Sequence, residues 1–143
     1  MEHGRLIHLD NNFLTSLPER MSVAHRQVRK WMVDGHRMAT SAVAWSEFLR
    51  GQSNNQRDAT EITYVKEHVL AGGVTPFDER QAEMAAYLFN LAGRPRGSNM
   101  RLRLDCMIAA CAIESSALLA TADINDFRPF QCCGLEFAEI AEI

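Results

Sequence analysis

Short apolar runs alternate with helical patterns along the chain, and this alternation constrains the fold more than any other feature. Runs typical of buried strands lie at 5–9, 37–41, 74–77, 117–121 and 135–140. Helical spacing of apolar residues predicts helices over 19–35, 42–51, 59–73, 78–93 and 104–116. Strands separated by helices run parallel, because each helix carries the chain back across the sheet. The sequence therefore predicts an α/β fold, a three-layer α/β/α sandwich around a central, mainly parallel sheet of four or five strands.

Composition narrows the class of protein. The chain has 143 residues, of which 47% are hydrophobic, and this is enough for one core, so we expect a single domain over residues 1–143. No stretch of ~18 consecutive apolar residues is present, which argues against a membrane-spanning helix. The four cysteines lack the spacing of zinc ligands and suit a reducing compartment. We expect a cytoplasmic protein with no membrane partner.

Four acidic residues are predicted to meet at one edge of the sheet. Asp10 follows the first strand and Asp123 the fourth, while Glu47 and Asp105 lie in helices beside strand ends. Ligand sites in parallel α/β sheets lie at the carboxyl ends of the strands. The four carboxylates are therefore candidates for one functional site.

Each acid also has a local explanation when it is taken alone. Asp10 and Asp105 suit a helix N-cap or first turn, where a carboxylate meets free backbone N–H groups. Glu47 lies within an apolar helical stripe but can pair with Arg50. Asp123 or Asp126 suits a cap of the short segment that follows the fourth strand, and the cap is favoured for Asp126. These explanations stay open for each residue separately.

As a group, the four carboxylates need a counter-charge. Two carboxylates 4 Å apart repel by about 4 kcal/mol at an effective dielectric constant of 20. A divalent cation relieves this repulsion, and oxygen ligands without histidine or cysteine favour Mg²⁺, with Mn²⁺ as the alternative. Such an ion lowers the pKa of a bound water and screens charge on a phosphate, which suits hydrolysis of phosphodiesters.

Polar and basic residues flank the acids. Candidates for orienting the metal ligands are Asn12, Ser41, Thr121 and Asp126, although Ser41 and Thr121 can equally just end strands. The net charge of −3 argues against a protein that coats nucleic acid by bulk charge. Residues 93–104 nevertheless carry basic side chains and no acid, and either contact an RNA backbone or form a solvated loop. These candidate RNA contacts are Arg94, Arg96, Arg101 and Arg103.

The chain resembles the PIN-domain ribonucleases, especially the VapC-type toxins of prokaryotic toxin–antitoxin pairs. The resemblance rests on the order of "LIHLDNNFL", "TSAVAWSEFLRG", "LDCMIAACA" and "LLATADINDF" and spans nearly the whole chain. In that family an Asp ends the first strand, a Glu lies in the helix after strand two, an Asp opens an "IAA" helix, and an Asp or Asn precedes a "DF" pair. Asp10, Glu47, Asp105 and Asp123 match these places in order.

The resemblance implies a metal-dependent endoribonuclease in which these four acids are catalytic and bind the metal. It also implies a homodimer and a VapB-like antitoxin, whose tail lies in a groove between the two helices after strand two and whose arginine enters the acidic pocket. Asn11 stands where the family usually has Thr, which predicts weaker activity, whereas Asn12 keeps the family's amide.

Two other functions fit part of the pattern. The departure at Asn11 is compatible with a catalytically idle PIN-like module that acts through protein or RNA binding. A phosphatase of the haloacid-dehalogenase type, with Asp10 as nucleophile, requires a second Asp two residues later. The chain has Asn12 there, which disfavours this reading.

Overall fold

A parallel sheet of five strands forms the centre of this computed structural model, which describes residues 4–55, 59–92 and 100–141, with only the backbone of 52–55. The strands are β1 (Leu6–Leu9), β2 (Arg37–Ser41), β3 (Gly73–Thr75), β4 (Leu118–Ala120) and β5 (Glu136–Phe137). Their order is β3-β2-β1-β4-β5, and the four pairings between these strands are parallel. The predicted parallel sheet is therefore confirmed, with β1 at its middle.

Helices connect the strands and cover both faces of the sheet. They are α1 (Asn11–Ser16), α2 (Val23–Val33), α3 (Ala42–Asn55), α4 (Ala59–Tyr64), α5 (Glu79–Ala92), α6 (Met100–Glu114) and α7 (Ile124–Phe127). A π-helical segment, Val65–Val69, continues α4, and a 3₁₀ segment, Arg128–Cys133, continues α7. Among the described residues, no helix is both long enough and apolar enough to cross a bilayer.

Two apolar clusters lie on opposite faces of the sheet. One joins Ile7 of β1 to Trp31 of α2, and the other joins Leu119 of β4 to Leu88 of α5 and Ile108 of α6. Neighbouring residues of a strand point to opposite faces, and β4 accordingly contributes side chains to both clusters. This arrangement confirms the three-layer α/β/α sandwich.

The segment after β1 is a helix rather than the polar loop that "DNN" suggests. The Asp10 side chain accepts a hydrogen bond from the Asn11 backbone N–H and caps α1 directly. Phe13 and Leu14 of this helix are buried in the core. Burial of these two side chains and the cap outweigh the turn preference of the two asparagines.

Two helix boundaries differ from the prediction in ways that affect the site. Helix α3 was predicted to end at Gly51, but it continues past this residue. Gly35 has a φ of +92° and lies just beyond the end of α2, as predicted. Helix α6 begins at Met100 rather than at 104. Asp105 therefore lies in the second turn of α6 and is not its N-cap, and Arg101 and Arg103 are helical rather than part of a loop.

His8 is a buried residue of the central strand. Its side chain is 1% exposed, and its Nε2 atom lies 3.0 Å from the Thr75 hydroxyl on β3. Burial lowers the pKa of His8 to about 4, so the ring is neutral near pH 7.

We predict that His8 makes the protein less stable as the pH falls from 6.5 to 4. The pKa of a histidine in the unfolded chain is about 6.5, so the unfolded chain takes up a proton in this range while the folded state does not. The unfolding free energy of wild type, relative to a His8→Gln variant, is expected to fall by about 3 kcal/mol across the range. Urea titrations of both proteins at several pH values measure this difference, and parallel curves would contradict the prediction.

Candidate functional site

Arg101 holds two buried carboxylates together at the carboxyl edge of the sheet. Its Nη1 donates to Glu47 Oε2 at 3.0 Å, and its Nε and Nη2 donate to Asp105 Oδ1 at 2.9 and 2.6 Å. The carboxylate side chains are only 10% and 6% exposed, whereas the arginine side chain is 57% exposed. The acids thus lie inside the molecule, and the guanidinium covers them from the solvent side.

Local helix geometry explains this arrangement. Arg101 and Asp105 are four residues apart on α6, the spacing that places two side chains on the same helix face. Glu47 reaches the same guanidinium from α3. The pairing of Glu47 with Arg101 was not predicted, although the four-residue spacing of Arg101 and Asp105 is visible in the sequence.

Asp10 lies close to this group and is fixed by two hydrogen bonds. Its Oδ1 accepts from the Asn11 backbone N–H at 2.7 Å, and its Oδ2 accepts from the Thr121 hydroxyl at 2.9 Å. Burial raises the pKa of Asp10, and the nearby negative charge of Glu47 adds to the rise, whereas the hydrogen bonds and Arg101 oppose it. Residues from α3, α6 and the end of β1 therefore share one electrostatic environment.

The surroundings of Asp105 raise the pKa of its carboxyl group. Burial raises its pKa to about 6, and the negative charges of Asp10 and Asp126 add to the rise. The hydrogen bonds and positive charge of Arg101 act in the opposite direction. Asp126, predicted as an accessory residue, thus acts on Asp105 through its charge.

Asp123 lies outside the group that surrounds Arg101. It is exposed, and its Oδ2 accepts a hydrogen bond from Asn12 Nδ2 at 2.7 Å. Over residues 4–55, 59–92 and 100–141, no three acidic, histidine or cysteine side chains converge closely enough to hold a metal ion. The described structure therefore does not show the predicted convergence of four acids, because two of them turn to Arg101 and Asp123 turns to Asn12.

The remaining accessory candidates have distinct places. Thr121 bridges Asp10 and the backbone N–H of Asp123, the latter at 3.0 Å from its hydroxyl oxygen. The Ser41 hydroxyl accepts from the Ala44 backbone N–H at 3.0 Å, where β2 ends and α3 begins.

The two described arginines among the predicted RNA contacts lie in different surroundings. Arg101 lies among the acids, and Arg103 lies over the ring of Phe89 at 5.8 Å. Arg94 and Arg96 lie outside the described residues. Arg103 points away from Arg101 because residues two apart on a helix lie on different faces.

A cavity of about 450 Å³ borders the acidic group between α3 and α6. Glu47, Arg50, Phe77 and Met100 contribute to its lining. The sequence suggests Arg50 as a partner of Glu47, and in the structure Arg50 lines the same cavity as Glu47. Of the four predicted acids, Glu47 is the one that lines this cavity.

The chemistry of these residues fits a hard divalent cation. Every candidate ligand is a carboxylate, the ligand type that Mg²⁺ and Mn²⁺ prefer. Among the described residues, Glu47 Oε1 is buried without a hydrogen-bond partner, so one carboxylate oxygen is available for a ligand. The carboxylates already attract a cation, since Arg101 lies between Glu47 and Asp105.

Comparison with known proteins identifies one family. A family model described as the PIN domain matches residues 7–129. No curated protein sequence matches the chain.

Solved structures share the fold at low sequence identity, and three of them illustrate the likeness. A toxin–antitoxin complex from Klebsiella pneumoniae is 19% identical, with a TM-score of 0.69 over 98% of this chain and all (100%) of that chain. VapBC-1 from nontypeable Haemophilus influenzae is 18% identical, with a TM-score of 0.69 over 96% and 99%. The sarcin-ricin loop cleaving toxin VapC20 from Mycobacterium tuberculosis is 12% identical, with a TM-score of 0.60 over 93% and 98%.

We predict that Thr121→Val destabilises the protein by about 1–3 kcal/mol, because the buried Asp10 carboxylate and the Asp123 N–H each lose a hydrogen-bond partner. Thr121→Ser, which keeps the hydroxyl, is the matched control and should lose less. Guanidinium chloride unfolding of the three proteins measures the difference. Equal stability of Thr121→Val and Thr121→Ser would contradict the prediction.

Proposed function

Because the chain belongs to the PIN domain family, we propose that it is a metal-dependent endoribonuclease, the VapC-like toxin of a toxin–antitoxin pair. The observation that carries the proposal is the pair of buried carboxylates, Glu47 and Asp105, that meet a single cation at the carboxyl edge of the sheet. Buried acids are retained in this way where their charge is used, since an apolar pair would cost less to bury. The fold shared with a toxin that cleaves the sarcin-ricin loop supports RNA as the substrate class.

The proposed ion is Mg²⁺, with Mn²⁺ as the alternative. Asp10, Glu47 and Asp105 would hold it, and Asp123 would join them from the edge where Asn12 now binds it. When bound, a divalent cation lowers the pKa of a water molecule and screens the negative charge of a phosphodiester. This is the predicted set of four acids, with three of them in the electrostatic group around Arg101.

The protein's own residues orient the acids and receive the substrate. Thr121 and the Asn11 N–H fix the direction of the Asp10 carboxylate. Arg50 lines the cavity beside Glu47, where a guanidinium can contact a phosphate of the RNA backbone. We propose further backbone contacts by Arg94, Arg96 and Arg103, which precede the buried part of α6.

The proposed partner is a VapB-like antitoxin. A relative of the same fold was solved as a toxin–antitoxin complex, and this supports a protein partner for the present chain. A homodimer, a single PIN-like domain over residues 1–143 and a cytoplasmic location belong to the same proposal.

One observation favours a second function, that of a PIN-like module that binds partners without cleaving RNA. Arg101 already neutralises Glu47 and Asp105, so this site has a counter-charge without any metal. In such a module, Arg101 would keep the carboxylates occupied, and an added metal ion would not stabilise the folded protein.

We predict that the wild-type protein cleaves RNA in Mg²⁺ and that EDTA abolishes the cleavage. Asp10→Asn and Glu47→Gln remove carboxylate charge from the site, so cleavage should fall by about 100-fold or more. Asp34→Asn is the matched control, because Asp34 is an exposed acid at the end of α2 that pairs with Lys30. The substrates are a panel of structured RNAs, including a hairpin of the sarcin-ricin loop sequence.

Equal cleavage of RNA by wild type and Asp10→Asn would contradict the proposed nuclease function. The melting temperature distinguishes the nuclease from the module without catalysis. An ion that binds only the folded protein stabilises the folded state. The nuclease should gain melting temperature in millimolar Mn²⁺, and the module should not.

A further inference from the structure

We propose that Arg101 is a built-in competitor of the divalent cation, so that metal binds the acids only after the guanidinium has left Glu47 and Asp105. This inference rests on the proposed function, since it concerns the same acids. It adds a property of this chain's own residues: the site carries a removable counter-ion that sets how much metal is needed to fill it.

Arg101 binds one oxygen of each of two carboxylates that would hold a metal ion. It binds Glu47 Oε2 and Asp105 Oδ1 with three hydrogen bonds of 2.6–3.0 Å. A divalent ion held by these carboxylates would lie beside a fixed positive charge, and like charges at contact distance repel strongly where water is largely excluded. The guanidinium and the metal therefore exclude one another.

The arginine is placed so that it can leave while the acids stay. Its side chain is 57% exposed, whereas those of Glu47 and Asp105 are 10% and 6% exposed. Arg101 lies in the first turn of α6, and rotation of its side chain away from the acids takes no apolar side chain out of the core. A long, exposed side chain pays little to rotate into water, where a guanidinium is well hydrated.

The acids give Arg101 a reason to stay when metal is scarce. Without a cation, the ionised side chains of Glu47 and Asp105, which are 10% and 6% exposed, would be buried close together as like charges. If Arg101 binds the two acids most of the time, the state that can accept a metal ion has only a small population. The apparent association constant for the metal is then the intrinsic one multiplied by that fraction.

The test is the affinity of the full chain for Mn²⁺, measured by titration calorimetry on wild type and Arg101→Gln. If the competent fraction is about one tenth, Arg101→Gln should bind Mn²⁺ about tenfold more tightly. Arg80→Gln is the matched control, because Arg80 also pairs with an acid, Glu114, at 3.5 Å but lies away from the site. This control should leave the Mn²⁺ affinity within about twofold of wild type.

A second measurement follows the arginine itself. In ¹⁵N spectra of wild type, the Nε–H signal of Arg101 should move from a hydrogen-bonded to a hydrated position as diamagnetic Mg²⁺ is added, while that of Arg80 stays in place. Arg101→Lys serves if Arg101→Gln does not fold, since an ammonium keeps the charge but cannot span both carboxylates as a planar fork. Its Mn²⁺ affinity should exceed that of wild type.

The outcomes separate this inference from the proposed function. Equal or weaker Mn²⁺ binding by both Arg101 variants, with binding by wild type abolished in Glu47→Gln, overturns the competition and leaves the metal-dependent nuclease standing. An Arg101 signal that does not move while Mg²⁺ binds also overturns it. Absence of Mn²⁺ binding in wild type and in the Arg101 variants overturns both.

Discussion

Two ionised carboxylates that are buried side by side repel each other unless a cation lies between them, and the architecture of this site follows from that requirement. Parallel strands direct their carboxyl ends to one edge, where α3 and α6 bring Glu47 and Asp105 together. Desolvation strengthens this repulsion, because the effective dielectric constant at the site is lower than in water. Arg101 supplies the counter-charge from the same helix as one of the acids.

The layered fold was predictable because it depends on the hydrophobic pattern. Apolar runs and helical spacing identified the five strands and the main helices, since buried faces leave a period in the sequence. Short helices without such a period were missed. Helix α1 has six residues, and its stability comes from the Asp10 cap and from burial of Phe13 and Leu14, which depend on the tertiary structure.

The candidate site was predictable in its location but not in its pairings. The order of strands and helices places Asp10, Glu47 and Asp105 at one edge, and Thr121 beside Asp10. The position of the first turn of α6 decides whether Arg101 can reach Asp105, and helix boundaries are the least certain part of a sequence pattern. The hydrogen bond between Asp123 and Asn12 depends on side-chain directions that spacing does not specify.

The Asp10 carboxylate is preorganised. Each of its oxygens accepts one hydrogen bond, from the Asn11 N–H or from the Thr121 hydroxyl, and each keeps a second lone pair. A ligand that arrives at this residue therefore meets a side chain whose rotational entropy was already lost when the chain folded. The central strand thus presents one rigid anchor, against which the more adaptable acids of the neighbouring helices can adjust.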